Sequence, residues 1–473
     1  MAITRRDFLR NSACAVGGVA LASSIDTFKV VHALTPLAAN DYKALVCVFL
    51  NGGNDGNNMV VSLDQYDGPQ GSAVEGYSNV RSLTGLAIQK TSLLPVTPVS
   101  GGSYGFHPNI PLLRDLFNQG KLAVLCNTGP LVEPLTRTTY QNGTGKKPLQ
   151  LFSHSDQQQL FETSISNTVS QTGWGGRLAD KTAGLNGSAT FPSNVSIAGI
   201  NLLLSGADTR QLAIPDAGTS LANVLQIIMS GSSSEQASRL ASFNELRTLD
   251  NEFKLVKAAS DIRTGSLQTD AALSVVGSST LTTVFPNTSI GRQLKQVALL
   301  IKVCTDPLAG INMKRQIFFT QIGGFDTHSG QVTGQANLLG QLNAAINAFF
   351  AATVELGIQD KVTTFTMSDF GRTLQPAGSS QGVGSDHAWG NHHLIVGGAV
   401  MGGTFYGTYP KLQLGGPDDT DGGSNPRGRW IPTTSVEQYA ATLATWYGLS
   451  TADLPVVFPL IGRFATPNLG FLA

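Results

Sequence analysis

Charged residues are scarce in this chain of 473 residues, in which Asp, Glu, Lys and Arg together make up 13%. The 31 basic and 31 acidic residues balance to a formal net charge of +0. Proteins that bind nucleic acid or an anionic membrane surface usually carry a basic excess, because Lys and Arg neutralise phosphate. The composition therefore predicts no nucleic acid and no anionic membrane surface as a partner.

Cysteine is also rare, and Cys47, Cys126 and Cys304 are the ones that lie beyond the N-terminal segment. Three is an odd number, and the spacings fit no metal-binding pattern. We expect buried free thiols, with one disulfide as the alternative. Long apolar runs are missing after the N-terminal segment, so the processed chain is expected to have no stable membrane span.

The N-terminus has the pattern of an export signal. Arg5-Arg6-Asp7-Phe8-Leu9 precedes a weakly apolar stretch, interrupted by glycine, from Ala13 to Ile25. This pattern predicts a twin-arginine (Tat) signal, whereas the alternative, a membrane anchor, needs roughly 20 apolar residues. Residues 1–39 are assigned to the signal and its cleavage region, with Val31-His32-Ala33 or Leu37-Ala38-Ala39 as the cleavage site. We therefore expect the Tat export machinery as a partner and a periplasmic or secreted protein.

Apolar runs rich in β-branched residues alternate with stretches of helical periodicity, and most of the runs end in polar, glycine-rich loops. The predicted strands are Lys43–Leu50, Lys121–Cys126, Gln316–Ile322 and Val362–Met367, with a further apolar run at His393–Val400. The predicted helices are Pro111–Gln119, one that starts near Ser153, Ile290–Val303, Gln331–Leu356 and Val436–Tyr447. This alternation predicts an α/β fold, a mostly parallel sheet covered by helices on both faces.

The processed chain, residues 40–473, is long enough for one large α/β domain. Residues 180–288 differ from the rest, because they are rich in Ser, Thr, Asn and Gly and contain no histidine. We interpret this segment as an insertion or cap beside the core.

Acidic residues and histidines follow the predicted strands. Asp326 and His328 come after one strand, Asp369 after the next, and His387 shortly afterwards. The chain has only 7 histidines, so their placement in such loops favours a site at the carboxyl ends of the strands.

Several short motifs occur in an order that resembles one family. They are Gly52-Gly53-Asn54-Asp55-Gly56, Phe106-His107-Pro108, Ser153-His154, Gly173-Trp174-Gly175-Gly176-Arg177, Gly323-Gly324-Phe325-Asp326-Thr327-His328, Ser368-Asp369-Phe370-Gly371-Arg372-Thr373, Gly384-Ser385-Asp386-His387 and Gly397-Gly398-Ala399-Val400-Met401-Gly402-Gly403. Each motif is weak, but the ordered set resembles the Tat-exported "domain of unknown function 1501" family, which is related to the alkaline phosphatase superfamily.

The resemblance implies an alkaline-phosphatase-like domain and a site for a roughly tetrahedral anion. It implies one or two divalent ions (zinc, manganese, magnesium or calcium) as cofactor. The implied metal ligands are Asp55, Asp326, His328, Asp369 and His387. The implied catalytic residues are Ser153, as a hydroxyl nucleophile at a helix N-terminus, His154, and Arg372, as a fork on equatorial oxygens.

One residue departs from the superfamily pattern. Phosphatases of the superfamily usually have Asp-His where this chain has Asp369-Phe370, and phenylalanine cannot bind a metal. Three alternatives follow, namely that His392 substitutes, that His154 substitutes, or that only one metal binds.

Each implied role also has a structural alternative. Asp55 is a typical Asx-turn residue, Ser153 a typical helix N-cap, and Arg372 a guanidinium that ties loops together. A shift of one residue in the comparison would make His154 or Ser155 the nucleophile. Asp386 is a candidate partner of His387 or a cap.

The predicted function is an exported metal-dependent hydrolase of phosphate or related esters, with a small anionic ester as substrate. The alternative is a non-catalytic exported binding protein that keeps the fold and an anion or single-metal pocket. A mutase or transferase with the same phosphoryl chemistry is the third hypothesis.

Overall fold

The computed structural model describes residues 41–221, 233–249, 252–378 and 382–473. The predicted Tat signal and cleavage region, residues 1–39, lie outside the described residues.

Strands and helices alternate along the described chain. The strands are β1 (Lys43–Leu50), β2 (Val60–Ser62), β3 (Leu94–Val96), β4 (Tyr104–Phe106), β5 (Leu122–Gly129), β6 (Asn194–Ser196), β7 (Leu212–Ala213), β8 (Arg315–Ile322), β9 (Val362–Ser368), β10 (Arg372–Ala377), β11 (Gly384–His387), β12 (Asn391–Val396), β13 (Phe405–Tyr406) and β14 (Thr434–Ser435). The helices are α1 (Gly56–Met59), α2 (Tyr77–Arg81), α3 (Pro111–Asn118), α4 (Arg137–Gln141), α5 (His154–Thr163), α6 (Trp174–Thr182), α7 (Ser233–Thr248), α8 (Lys254–Ser278), α9 (Ser289–Thr305), α10 (Gln331–Glu355), α11 (Val436–Tyr447) and α12 (Leu454–Val457).

The main sheet has the strand order β13-β5-β12-β9-β1-β8-β6-β7, and β14 also pairs with β5. Its pairs are parallel except those of β12, which runs antiparallel to β5 and β9. A two-stranded antiparallel sheet, β10–β11, and a three-stranded sheet, β2–β4–β3, accompany it. The prediction of a mostly parallel sheet is confirmed.

Both faces of the main sheet are covered, as β1 illustrates. Ala44, Val46, Val48 and Leu50 of this strand pack in one hydrophobic cluster, and Leu45, Cys47 and Phe49 pack in another. The first cluster includes apolar residues of α3, α9 and α10, and the second includes residues of α6 and α11. A strand whose alternate residues pack into two cores has an apolar sequence throughout its length. The predicted α/β class is confirmed.

Helix α11 begins where the sequence predicts, because its first turn carries a reciprocal cap. Ser435 Oγ accepts a hydrogen bond from the backbone N–H of Gln438, and Gln438 Oε1 accepts one from the backbone N–H of Ser435. These two bonds satisfy backbone donors that a helix otherwise leaves without partners.

Part of the segment 180–288 belongs to the sheet. Strand β6 pairs with β8 and with β7 in parallel, so the segment extends one sheet edge. Whether the whole segment is an insertion or cap stays a prediction.

The three cysteines of the described chain are buried free thiols, as expected. Among the described residues, none of the helices combines the length and the apolar character that crossing a bilayer requires.

Candidate metal centre

The loops that follow β9, β1 and β8 meet at one edge of the main sheet, because these three strands are neighbours and run parallel. Ser368, the last residue of β9, joins two of the loops. Its hydroxyl donates to the carbonyl of Leu50 at 2.7 Å and accepts from the backbone N–H of Asn54 at 2.9 Å. The predicted site therefore lies at the carboxyl ends of the strands.

Three imidazoles converge on one carboxylate at this edge. Oδ1 of Asp326 lies 3.4 Å from Nε2 of His154, 3.0 Å from Nε2 of His328 and 3.5 Å from Nε2 of His387. Nε2 of His387 lies 3.1 Å from Nε2 of His154 and 2.9 Å from Nε2 of His328. We call these four residues the histidine cluster. Ligand atoms of His154, Asp326 and His387 all lie within 4.8 Å of one another, as a shared metal ion requires.

The other ring nitrogen of each imidazole faces an acceptor. Nδ1 of His154 lies 2.7 Å from Oδ2 of Asp369, and Nδ1 of His328 lies 3.2 Å from Oδ1 of Asp386. The partner of His387 is a main-chain group, the carbonyl of Phe152, at 2.8 Å from Nδ1.

These acceptors assign the hydrogen of each neutral imidazole to Nδ1, so the three Nε2 lone pairs face Oδ1 of Asp326, and that of His387 also faces the Nε2 atoms of the other two. Converging lone pairs repel each other, whereas a cation placed among them is attracted by all. Two donors about 2.0 to 2.1 Å from a tetrahedral zinc ion are about 3.3 Å apart, which is close to the measured spacings. The described donor set therefore fits a metal ion, and the acceptors at Nδ1 are those that usually orient metal-binding histidines.

Charges around the cluster shift its pKa values in different directions. A hydrogen bond to Asp369 raises the pKa of His154 although burial opposes it. Burial lowers the pKa of His387, and the charges of its neighbours lower it further. Partial burial alone would raise the pKa of Asp326, but its hydrogen bond and charge interaction with Arg372 outweigh burial and lower it.

Arg372 is buried, and its donors are directed at the protein. Nε donates to the carbonyl of Gly53 at 2.9 Å, and Nη1 donates to the carbonyl of Ser385 at 2.7 Å. Nη2 donates to the carbonyl of Gly52 at 2.6 Å and to Oδ1 of Asp326. This arrangement supports the structural alternative for Arg372, because the guanidinium ties the loops together and holds the carboxylate of Asp326.

Two phenylalanines frame the histidine cluster. The ring of Phe370 is fully buried and lies 4.6 Å from the ring of His154 and 4.7 Å from that of His387, between centroids. Phe152 has a left-handed backbone with φ of 71°, which is unfavourable for a bulky residue. Its carbonyl nevertheless accepts from His387, and strained backbone of this kind is common at functional sites.

The structure places Asp55 in a different environment from the one predicted. Arg81 donates to both carboxylate oxygens, at 2.6 Å and 3.2 Å, and Nε2 of Gln331 donates to Oδ2 at 2.5 Å. Oδ1 also accepts from the backbone N–H of Asn57, as an Asx-turn does. These buried donors neutralise and saturate the carboxylate, so the geometry does not support Asp55 as a metal ligand.

Asp369 is close to the cluster, and its carboxylate contacts His154. Oδ2 faces Nδ1 of His154, and Oδ1 accepts from the backbone N–H of Gly52 at 3.1 Å. The geometry therefore supports His154, not Asp369, as the group that would face a metal ion, and it favours His154 as the substitute for the histidine missing at Phe370. The other candidate substitute, His392, is buried, accepts from the backbone N–H of Asn127 and stacks on Tyr409.

Ser153 is the N-cap residue of α5, and His154 is the first residue of that helix. The hydroxyl of Ser153 donates to Oδ2 of Asp156 at 2.5 Å and lies 3.4 Å from Oγ of Ser155. Ser153 therefore has the N-cap position without a side-chain capping hydrogen bond, and its role as nucleophile stays a prediction.

Sequence reasoning missed several groups around the cluster. Asp386 was expected beside His387, but its carboxylate faces His328 and pairs with Arg427. Arg81, Gln331 and Arg427 carry no local signal, because each meets its partner through a contact that is distant along the chain. A main-chain acceptor such as the carbonyl of Phe152 is invisible in a sequence.

Residues 42–419 match the model of a family described as "Protein of unknown function (DUF1501)". A search of curated proteins found no match. Among solved structures, the chain is similar to PsFucS1 sulfatase from Pseudoalteromonas sp., with 11% identity, a TM-score of 0.30 and coverage of 78% of this chain and 65% of that one. It is also similar to the C-terminal periplasmic domain of EcEptC from Escherichia coli in complex with Zn (10% identity, TM-score 0.30, coverage 76% and 73%). A third is the lipoteichoic acid synthase LtaP from Listeria monocytogenes (8% identity, TM-score 0.31, coverage 94% and 79%).

Proposed function

The chain belongs to the DUF1501 family, and we propose that it is a metal-dependent hydrolase of phosphate or related esters. One observation carries this proposal, namely that the Nε2 atoms of His154, His328 and His387 converge on Oδ1 of Asp326 while their Nδ1 atoms face acceptors. Small anionic esters are the proposed substrates, since a cation beside a helix N-terminus attracts negative charge.

The histidine cluster would hold the metal ion through three nitrogens and one oxygen. Imidazole suits zinc and other transition metals, whereas magnesium and calcium prefer oxygen ligands. We therefore propose one zinc-like ion. A second ion lacks support, because Asp55 is neutralised by Arg81 and Asp369 is occupied by His154. When bound, such an ion polarises an ester oxygen and lowers the pKa of coordinated water.

The residues of the chain would supply the remaining functions. Asp369, Asp386 and the carbonyl of Phe152 hold the imidazoles in one tautomer and one orientation. The buried ring of Phe370 keeps water away from the back of two of them. These contacts would preorganise the ligands before substrate arrives.

Ser153 is the proposed nucleophile. Its hydroxyl proton already points to Oδ2 of Asp156 at 2.5 Å, and the N-terminus of α5 would stabilise the developing negative charge. In the proposed displacement at phosphorus, the bond from Ser153 Oγ to phosphorus forms while the bond from phosphorus to the leaving oxygen breaks, and the hydroxyl proton passes through Asp156 to the leaving oxygen. Water then attacks the phosphorus, the bond from phosphorus to Ser153 Oγ breaks, and Asp156 passes a proton from this water back to Oγ. We also propose that the protein is exported through the Tat pathway to the periplasm or the medium.

The test combines metal analysis with an ester screen on the full chain. Elemental mass spectrometry should find one zinc-like ion per chain in the wild type and none in Asp326→Ala or His387→Ala. Ser153→Ala should keep the ion and lose hydrolysis of phosphomonoesters and phosphodiesters. Ser155→Ala is the matched control, because it removes the neighbouring exposed hydroxyl, and it should keep both properties. Full activity and full metal content in Asp326→Ala would refute the proposal.

A second candidate is a non-catalytic exported protein with a single-metal pocket. The hydrogen bonds of Arg372 favour this candidate. Its N–H groups donate to backbone carbonyls and to Asp326. The guanidinium is therefore not directed at a phosphate, as the superfamily resemblance implied. Such a protein would bind the ion, hydrolyse none of the esters, and be unaffected by Ser153→Ala.

A further inference from the structure

The segment 415–430 is built around the carboxylate of Asp419, which is fully buried. Oδ2 accepts from the backbone N–H groups of Gly415 and Gly428 at 2.9 and 2.8 Å. Oδ1 accepts from those of Asp421 and Arg429, both at 3.0 Å. Four charge-assisted bonds to one carboxylate fix the course of this backbone. Most of the segment lies beyond the residues that the family model matches.

Arg427, on this segment, reaches the outer side of one metal-site histidine. Its Nη2 pairs with Oδ2 of Asp386, whose Oδ1 lies 3.2 Å from Nδ1 of His328. The side chain of His328 is 46% exposed, the highest exposure among the three imidazoles. A half-exposed side chain keeps its rotamer freedom unless a contact removes it, so the pairing of Asp386 with Arg427 matters most for this ligand.

Arg429, two residues further on, supports the next histidine from two directions. Its Nε donates to the carbonyl of His387 at 3.0 Å, and its guanidinium lies 4.4 Å from the ring centroid of Phe152. The carbonyl of Phe152 is the group that accepts from Nδ1 of His387. Arg429 therefore holds both the ligand and the residue that orients it.

We propose that Arg427 and Arg429, which we call the arginine clamp, are positioning residues of the metal site. Arg427 acts on His328 through Asp386, and Arg429 acts on His387 directly and through Phe152. This proposal rests on the metal centre of the proposed function and extends it, since the arginine clamp would hold two of the ligands in position for a zinc-like ion. Loss of an orienting partner of a metal-binding histidine typically weakens metal affinity about 10- to 100-fold.

The experiment measures zinc affinity of the full, metal-free chain by titration against a competing chelator. Arg427→Gln and Arg429→Gln should each bind zinc about 10- to 100-fold more weakly than the wild type. Arg292→Gln is the matched control, since Arg292 forms a partly exposed pair with Asp216 at 2.9 Å outside the cluster, and its zinc affinity should be unchanged.

Conservative variants distinguish the charge effect of Arg427 from the stacking effect of Arg429. Arg427→Lys keeps the charge that faces Asp386 and should recover part of the affinity. Arg429→Lys loses the planar group that stacks on Phe152 and should stay weak. If Arg427→Gln fails to fold, Asp386→Asn tests the same connection from its other end.

A merely structural role predicts a different pattern. It would lower the melting temperature of the metal-free variants, whereas positioning leaves that temperature near the wild-type value and reduces the increase that zinc produces. Wild-type affinity in both Gln variants would overturn the clamp and leave the metal centre intact. A wild-type chain that takes up no zinc would overturn the proposed function, and the clamp with it.

Discussion

The rings of Phe370 and His154 pack against each other at an interplanar angle of 40°, with centroids 4.6 Å apart. In the sequence, Phe370 counts as a missing metal ligand. In the structure it is the apolar support of an imidazole that comes from a helix more than 200 residues earlier in the chain, and it also packs on His387. The candidate site therefore has a histidine from another element beside the position where the expected histidine is absent.

Replacing Phe370 with alanine should weaken both folding and metal binding. Phe370→Ala removes a fully buried ring, which lowers the free energy of unfolding by about 3 to 5 kcal/mol and leaves two ligands without lateral support. Denaturant unfolding of the metal-free chain and zinc titration measure the two effects. Phe253→Ala is the control, because that ring is 60% exposed, and both properties should stay near wild type. Normal zinc affinity in a folded Phe370→Ala variant would contradict the supporting role.

Asp369→Asn should reduce zinc affinity about 10- to 100-fold while the chain stays folded. The amide can still accept from the backbone N–H of Gly52, but it no longer places a negative charge beside Nδ1 of His154. Titration of the metal-free variant with zinc measures the change. Asp115→Asn, a substitution in a partly exposed pair with Arg114, is the control. A complete loss of bound metal would instead favour Asp369 as a direct ligand, as the sequence predicted.

Asp55→Asn should separate stability from metal binding. Breaking a buried ion pair by removing one partner leaves the other charge uncompensated and lowers the free energy of unfolding by about 3 to 5 kcal/mol; here the remaining charge is that of Arg81. Because Asp55 is saturated by donors of the protein, the folded variant should keep its zinc. Urea unfolding and elemental analysis of the same sample provide both measurements. Metal loss from a chain that is still folded would restore Asp55 as a ligand.

The sequence predicted the parts of the molecule that depend on local signals. Strand Lys43–Leu50 and helix Val436–Tyr447 have the predicted bounds, because a continuous apolar run and a reciprocal cap each lie within a few residues. Asp326 and His328 lie in the loop after β8, as predicted, since parallel strands bring their carboxyl ends to one edge. His387 is instead the last residue of β11, in the small antiparallel sheet.

The contacts that the sequence did not predict join distant residues. Asp55 stays a predicted ligand, but its buried pair with Arg81 could not be inferred from neighbouring residues. In the same way, no local pattern indicates that Asp386 faces His328. A carboxylate becomes a ligand or an ion-pair partner according to which charges the fold brings to it. That assignment needs coordinates.

Glu437 should make stability depend on pH. It is 1% exposed, and burial raises its pKa to about 8, against the opposing charges of Arg177 and Arg463. The folded chain then binds a proton that the unfolded chain has released at pH values above the ordinary glutamate pKa of about 4.5. Stability is fully present below that pH and falls as pH rises toward 8, at up to about 1.4 kcal/mol per pH unit. Urea unfolding between pH 5 and about 8 measures the slope, and Glu437→Gln should flatten it. An equal slope in both proteins would assign the effect to another group.

A side chain at Gly53 should be destabilising, because Phe370 occupies the space. Gly53 has φ of 82°, and a Cβ built on it would lie 2.5 Å from Cε2 of Phe370. Gly120 has a similar φ of 70°, but no heavy atom lies within 4 Å of its Cβ position. Comparing Gly53→Ala with Gly120→Ala therefore separates backbone strain from steric contact. Gly120→Ala should lower the free energy of unfolding by about 1 to 2 kcal/mol and leave zinc affinity unchanged. Gly53→Ala adds an overpacking penalty of about 1 to 3 kcal/mol, and it should weaken zinc binding by displacing the ring that supports His154 and His387. If the two substitutions have equal effects on unfolding and on zinc affinity, Phe370 moves aside without cost. The positions of the histidines would then depend only on the acceptors at their Nδ1 atoms.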